Sequence, residues 1–141
     1  MNNIQKRFIL FLFGCMLVRG FLILLAKYSV NKYHTIFSTL GIFSIIIGIG
    51  FLTIYITNIR KTGPEVFGEK IWWNNIRPLH GILYLLFGLI SLFGSQSLKE
   101  KAWIILLIDF ILGLFSFLFY HYKQGNFSKI DFSYYTIIDN K

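Results

Sequence analysis

Carboxylates are scarce in this chain. Six Asp and Glu stand against fourteen Lys and Arg, and of the six only Asp109 falls inside a long apolar run. A paired-carboxylate mechanism or a carboxylate-rich metal site therefore lacks its ligands. Cysteine is scarcer still. The single Cys15 excludes an intrachain disulfide, disulfide-stapled extracellular loops and any Cys-x-x-Cys motif. There is no Gly-rich phosphate loop, no His-Glu-x-x-His and no Gly-x-Ser-x-Gly. A serine triad would have to join Asp109, His80 and a serine from a third helix, with no motif behind it. An enzyme has little to work with here, and neither cofactor nor metal is implied.

Charge of either sign is sparse as well. Charged residues are 14% of the chain and apolar ones 55%, too few to give water a soluble domain's surface. The net charge of +8 does not point to nucleic acid. Most Lys and Arg cluster beside apolar runs, where lipid headgroups are met, and no basic stripe with interleaved aromatics appears. At 141 residues the chain has room for one domain.

What is present is length of apolar chain. About 20 mostly apolar residues cross the hydrocarbon of a bilayer as a helix, and four stretches reach that length, at about 8–26, 36–57, 76–94 and 102–122. Two contain a charge. In the first, the Phe, Ile, Leu and Val residues together favour insertion by roughly 6 kcal/mol, against a cost of about 3 for a central Arg19. The fourth, with Asp109, gives the same balance. A cleaved signal peptide would explain Lys6, Arg7 and the run from Phe8 to Val18, but the run resumes after Arg19 and no small-x-small site follows. Short links at Lys27 to Thr35 and at Gly94 to Lys101, where Gly94-Ser95-Gln96-Ser97 is a stop and turn, predict an all-α integral membrane protein, an antiparallel bundle of four transmembrane helices.

The Lys and Arg distribution predicts sidedness. The N-terminus, the middle loop 58–75 with Arg77, and the tail 123–141 carry nine; the other side carries Lys27, Lys32, Lys99 and Lys101. The positive-inside rule puts both termini and the middle loop in the cytosol. The sequon Asn126-Phe127-Ser128 would then go unused. Tyr135-Thr136-Ile137-Ile138 has the form of a cytosolic sorting signal, a pattern common by chance.

Arg19 and Asp109 are the leading candidates for a functional pair. Arg19 lies eleven residues past Phe8 and Asp109 eleven before Tyr120, each about 16 Å from the cytosolic face, so a direct ion pair is expected. Asp109, Gly113, Ser116 and Tyr120 make one polar, small-residue stripe, and Cys15, Arg19, Leu22 and Ala26 another. His80, placed one turn inside the cytosolic interface, and Tyr84 extend the inward polar face with Ser116 and Tyr120. Such a pair either locks helix register or serves a ligand, ion or proton, and a histidine near neutrality can do either. The loop 60–80 holds a second candidate. Arg60, Lys61, Trp72, Trp73 and Arg77 suit a headgroup-level site, with Glu65 or Glu69 opposing the cations. The bland alternative is an interfacial anchor that starts a helix.

In size the chain is similar to small multidrug exporters, but those carry a first-span glutamate where this chain carries Arg19. The sequence thus suggests a non-enzymatic organising or assembly component that binds the bilayer, other membrane proteins or itself. A small transporter or channel, its polar path lined by Arg19, Asp109 and His80, is the alternative.

Overall fold

The computed structural model describes residues 2–63 and 66–130. They form four long helices, α1 (Asn3–Lys32), α2 (His34–Thr57), α3 (Trp72–Phe93) and α4 (Gln96–Lys123), each long and apolar enough to cross a membrane. A single-turn 3₁₀ helix, Asn126–Lys129, follows α4. Glu65 and the tyrosine motif at 135–138 lie outside the described residues.

The helices outrun the spans read from the sequence, because polar ends that do not favour hydrocarbon can still favour helix. α1 begins at a capping box. Asn2 accepts from the Gln5 amide at 2.8 Å, and Gln5 returns the bond to the Asn2 amide at 2.8 Å, which satisfies two N–H groups a helix start leaves open. The link expected at Lys27 to Thr35 is helical up to Lys32, and Tyr33 alone breaks it. Likewise only Gly94 and Ser95 separate α3 from α4. Residues Leu10–Met16 of α1 are wound as a π-helix, a wider turn that is uncommon and recurs beside functional sites. α2 ends on Asn58 at φ 50°, a left-handed position that asparagine tolerates better than most residues.

α3 opens with a 3₁₀ turn, Trp72–Ile76, before Arg77–Phe93 continues as α-helix. Pro78 falls in that first α turn, where its missing N–H costs nothing. The early start puts His80 about 15 Å along the axis from the beginning of α3.

α2 and α3 pack antiparallel and almost backbone to backbone. A Cβ on Gly48 would fall 2.8 Å from the Gly81 carbonyl oxygen and 3.0 Å from the Leu85 amide nitrogen, so the absence of a side chain sets the spacing. Ser44 and Ser91 are buried along the same seam, whereas Tyr55, further along α2, is 41% exposed. α1 lies antiparallel to α4, with Phe11 stacked on Phe117 at 3.8 Å between ring centroids. Phe37, Phe87, Ile23, Ala26, Ala102 and Leu106 fill the core. The outer faces are apolar, with Phe21 62%, Ile46 60% and Phe115 68% exposed, a surface that hydrocarbon accommodates and water does not.

Gly48→Ala should destabilise the detergent-solubilised protein by about 1–3 kcal/mol, since the intruding methyl meets backbone that cannot yield. Gly50, with nothing within 4 Å of its added Cβ, should accept alanine at no cost or gain up to about 1 kcal/mol of helix propensity. Denaturation midpoints of the two variants in one micelle check the contrast, and equal midpoints would count against the close seam.

Candidate functional site

A buried carboxylate ties three helices together. Asp109 on α4 is 1% exposed. Its Oδ2 accepts from Arg19 Nη1 of α1 at 2.7 Å, and its backbone oxygen accepts from the same nitrogen at 3.1 Å. Its Oδ1 is hydrogen-bonded to His80 Nδ1 of α3. An ionised carboxylate only accepts, so the imidazole carries a proton on Nδ1. Arg19 Nη1 lies 3.3 Å from His80 Nδ1; both are donors in this tautomer, and the contact is an electrostatic neighbour through the shared carboxylate. Gly113 makes the arrangement fit, since a Cβ there would stand 3.0 Å from Arg19 Nη1. Tyr84, buried one turn beyond His80, interacts electrostatically with Asp109 and Arg19.

Beside this cluster lies a cavity of about 210 Å³, walled by Phe11, Cys15, Phe51, Val66, Trp73 and Phe117 among others. Arg19, His80 and Gly113 line its inner end, and Arg7, Trp72 and His121 its outer end. Twelve residues of α1 separate Arg7 from Arg19, about 16 Å of helix given the shorter rise of the π-helical stretch, so the space is elongated. Its wall is aromatic. Trp72 stacks on Tyr120 at 4.9 Å, and Phe8, Phe117 and His121 pack on one another at 4.4 to 4.8 Å.

The middle loop folds over the outer end. Val66 and Ile71 are 1% and 2% exposed, and Thr62 pairs with Lys70 in an antiparallel bridge. Arg7 holds this loop. Its Nη2 donates to the Val66 carbonyl at 2.8 Å and lies 2.9 Å from Glu69 Oε1. The hydrogen bond from Arg7 keeps the Glu69 carboxyl below the usual carboxylate range; slight burial opposes this and the arginine's charge reinforces it. On the other side of Trp72, a cleft of about 590 Å³ is lined by Lys61, Lys70, Asn74 and Asn75.

The residues singled out from the sequence are thus divided. Arg19, Asp109 and His80 come together with Tyr84. Ser116 and Tyr120 are only half-buried; Phe117 and His121 take the inward positions instead, held by aromatic packing from α1 and Trp72. The headgroup set is also split. Arg77 is 2% exposed, and its Nη1 donates to the Arg60 carbonyl and to Asn74 Oδ1, so it closes the loop. Trp72 and Trp73 line the cavity, and Lys61 faces the cleft. Arg7 and His121 were missed as site residues. The signal was present, because continuing the Arg19 and Cys15 stripe upstream by fours reaches Phe11 and Arg7. Continuing Asp109 and Gly113 downstream by fours reaches Phe117 and His121.

Among the described residues no group of His, Cys, Asp or Glu could hold a metal ion. Comparison with protein-family models, with curated proteins and with solved structures found no match.

Removing one partner of a buried pair strands the other. Asp109→Leu should therefore lower stability by about 3–5 kcal/mol, and adding Arg19→Leu should recover much of the loss. Unfolding titrations of both singles and the double measure the coupling, and strictly additive losses would break the pairing. At the loop the sign follows from Glu69. Its lowered pKa means that docking energy is present above the ordinary carboxylate pKa and fades as pH falls through the shifted value. Protease cleavage within residues 60–70 should rise on acidification in the parent and be high and pH-independent in Glu69→Gln.

Proposed function

We propose that this chain is a non-enzymatic, multi-pass membrane component that holds a lipid-like guest within its bundle and offers its apolar faces to lipid, to other membrane proteins or to a second copy of itself. One observation carries the reading. The elongated, aromatic-walled cavity reaches from the loop end to the Arg19–Asp109–His80 cluster, and it suits a slender apolar chain better than a polar metabolite. On the charge count, both termini and the middle loop face the cytosol, which puts Trp72 and Trp73 at headgroup level. The lack of catalytic equipment in the sequence supports a binding role. Native mass spectrometry of protein released from mild detergent tests it. Retained lipid at a fixed stoichiometry, with thermal stabilisation when that lipid is added back, is expected. Lipid-free protein that no lipid stabilises would overturn it.

A transporter or channel is the second reading, favoured by one specific fact. Arg19 and His80 line the same cavity, so a polar route could begin there. It requires ion or solute flux in liposomes that changes in Arg19→Gln. Flux indistinguishable from empty vesicles across cations, anions and small solutes would leave only the lipid-holding role.

A further inference from the structure

Two buried side-chain nitrogens have no hydrogen-bond partner, Arg7 Nε and His121 Nε2. They are the only such atoms among the described residues. Arg7 is 8% exposed and His121 0%, and both line the outer end of the cavity. The chemistry of each is set. A guanidinium Nε–H only donates. The Asn126 side-chain Nδ2 lies 2.8 Å from His121 Nδ1, so the amide donates there and the ring proton sits on Nε2. Two donors therefore stand without an acceptor beside one cavity, and a native fold rarely leaves such groups unmet.

The missing acceptor has a definable character. A water molecule would accept from both donors but would then need acceptors for its own hydrogens, and the nearby walls are Phe8, Phe117 and Trp72. An oxyanion accepts and has nothing to donate. Arg7 also supplies charge, because its partner Glu69 has a side chain 65% exposed and its field is screened by water. Behind the two donors, about 16 Å of helix lines the elongated apolar space, which a small inorganic anion would leave empty.

We propose that Arg7 Nε and His121 Nε2 seat the carboxylate or phosphate oxygen of an anionic, acyl-chain amphiphile, whose chain lies along the cavity toward Arg19. This deepens the lipid-holding reading and rests on it. Arg7 has two tasks in this arrangement: Nη2 docks the loop, and Nε faces the guest.

Trp72 and Trp73 report on the cavity, and Trp103 on the far end of α4 is removed by Trp103→Phe. In that background, full-length protein in non-ionic detergent is titrated with a brominated long-chain fatty acid. Saturable quenching, reversed by excess oleate, is expected, with the methyl ester at least tenfold weaker. His121→Phe and Arg7→Lys should each weaken binding about tenfold, the loss of one charge-assisted hydrogen bond. Because His121→Phe also takes the acceptor from Asn126 Nδ2, ligand-free melting is read in His121→Phe/Asn126→Leu, which should melt at the parent temperature or above it because an unmet donor has gone and no new one is left; a purely structural histidine would lower it. If Arg7→Lys fails to fold, His121→Phe decides alone. Equal affinity for acid and ester would overturn the oxyanion seat and leave the lipid-holding reading standing. No saturable quenching by either would overturn both. Displacement by millimolar inorganic phosphate would overturn the amphiphile and assign the seat to a soluble anion.

Discussion

A carboxylate that is 1% exposed cannot stay ionised unless donors surround it, and the architecture follows from meeting that demand at Asp109. The donors come from two other helices. Arg19 must cross from α1 and His80 from α3, so three helices are fixed in height and rotation at a single point. Accommodation is asymmetric. α4 gives up a side chain at Gly113 to admit the guanidinium, and α3 starts a turn early, in the tighter 3₁₀ form, which carries His80 down to the carboxylate. α2 makes none of the cluster's hydrogen bonds and is held instead by the glycine seam with α3. The bundle is therefore secured in two ways, by a polar lock on one side and close backbone packing on the other.

The cavity follows from the same alignment. Arg7, Phe11, Cys15 and Arg19 recur by fours along α1, and Asp109, Gly113, Phe117 and His121 recur by fours along α4. Because these helices are antiparallel, locking Arg19 to Asp109 brings Arg7 toward His121. Cys15 and Gly113 are small in the middle of the two stripes, so the facing walls do not close completely. The π-helical stretch Leu10–Met16 falls along this segment, where its wider turn shifts the register of α1 side chains facing the space. The loop then caps one end through Arg7, which explains why Val66 and Ile71 are as buried as core residues.

The four helices were legible because hydrocarbon-length apolar runs are a strong physical signal. The depths of Arg19 and Asp109, counted from the same face, placed them together. Trp72 to Asn75 read as loop but open α3, because a 3₁₀ start leaves little trace in composition. Ser116 and Tyr120 were chosen over Phe117 and His121 because polarity was taken as the mark of the inner face; in a bundle whose outside is also apolar, aromatic packing decides instead. Arg7 was counted only as a topological charge. A long-range contact such as Arg7 to Val66, across fifty-nine residues, leaves no local pattern to find.

The two ends of the cavity differ in their hydrogen-bond accounting, and the difference bears on function. At the inner end the acceptors of Asp109 are matched by donors from Arg19 and His80. A charged path for ions would need those groups to exchange partners readily, yet taking Arg19 away leaves the Asp109 charge buried and uncompensated, at a cost of several kcal/mol, and taking His80 away leaves Asp109 Oδ1 without its donor. At the outer end the balance is reversed, with two donors and no acceptor. A guest bound there satisfies groups already buried and need not disturb the lock that orders the helices. Binding at the outer end and stability at the inner end can therefore be separate properties of one continuous space, which is what the proposed lipid-holding role requires.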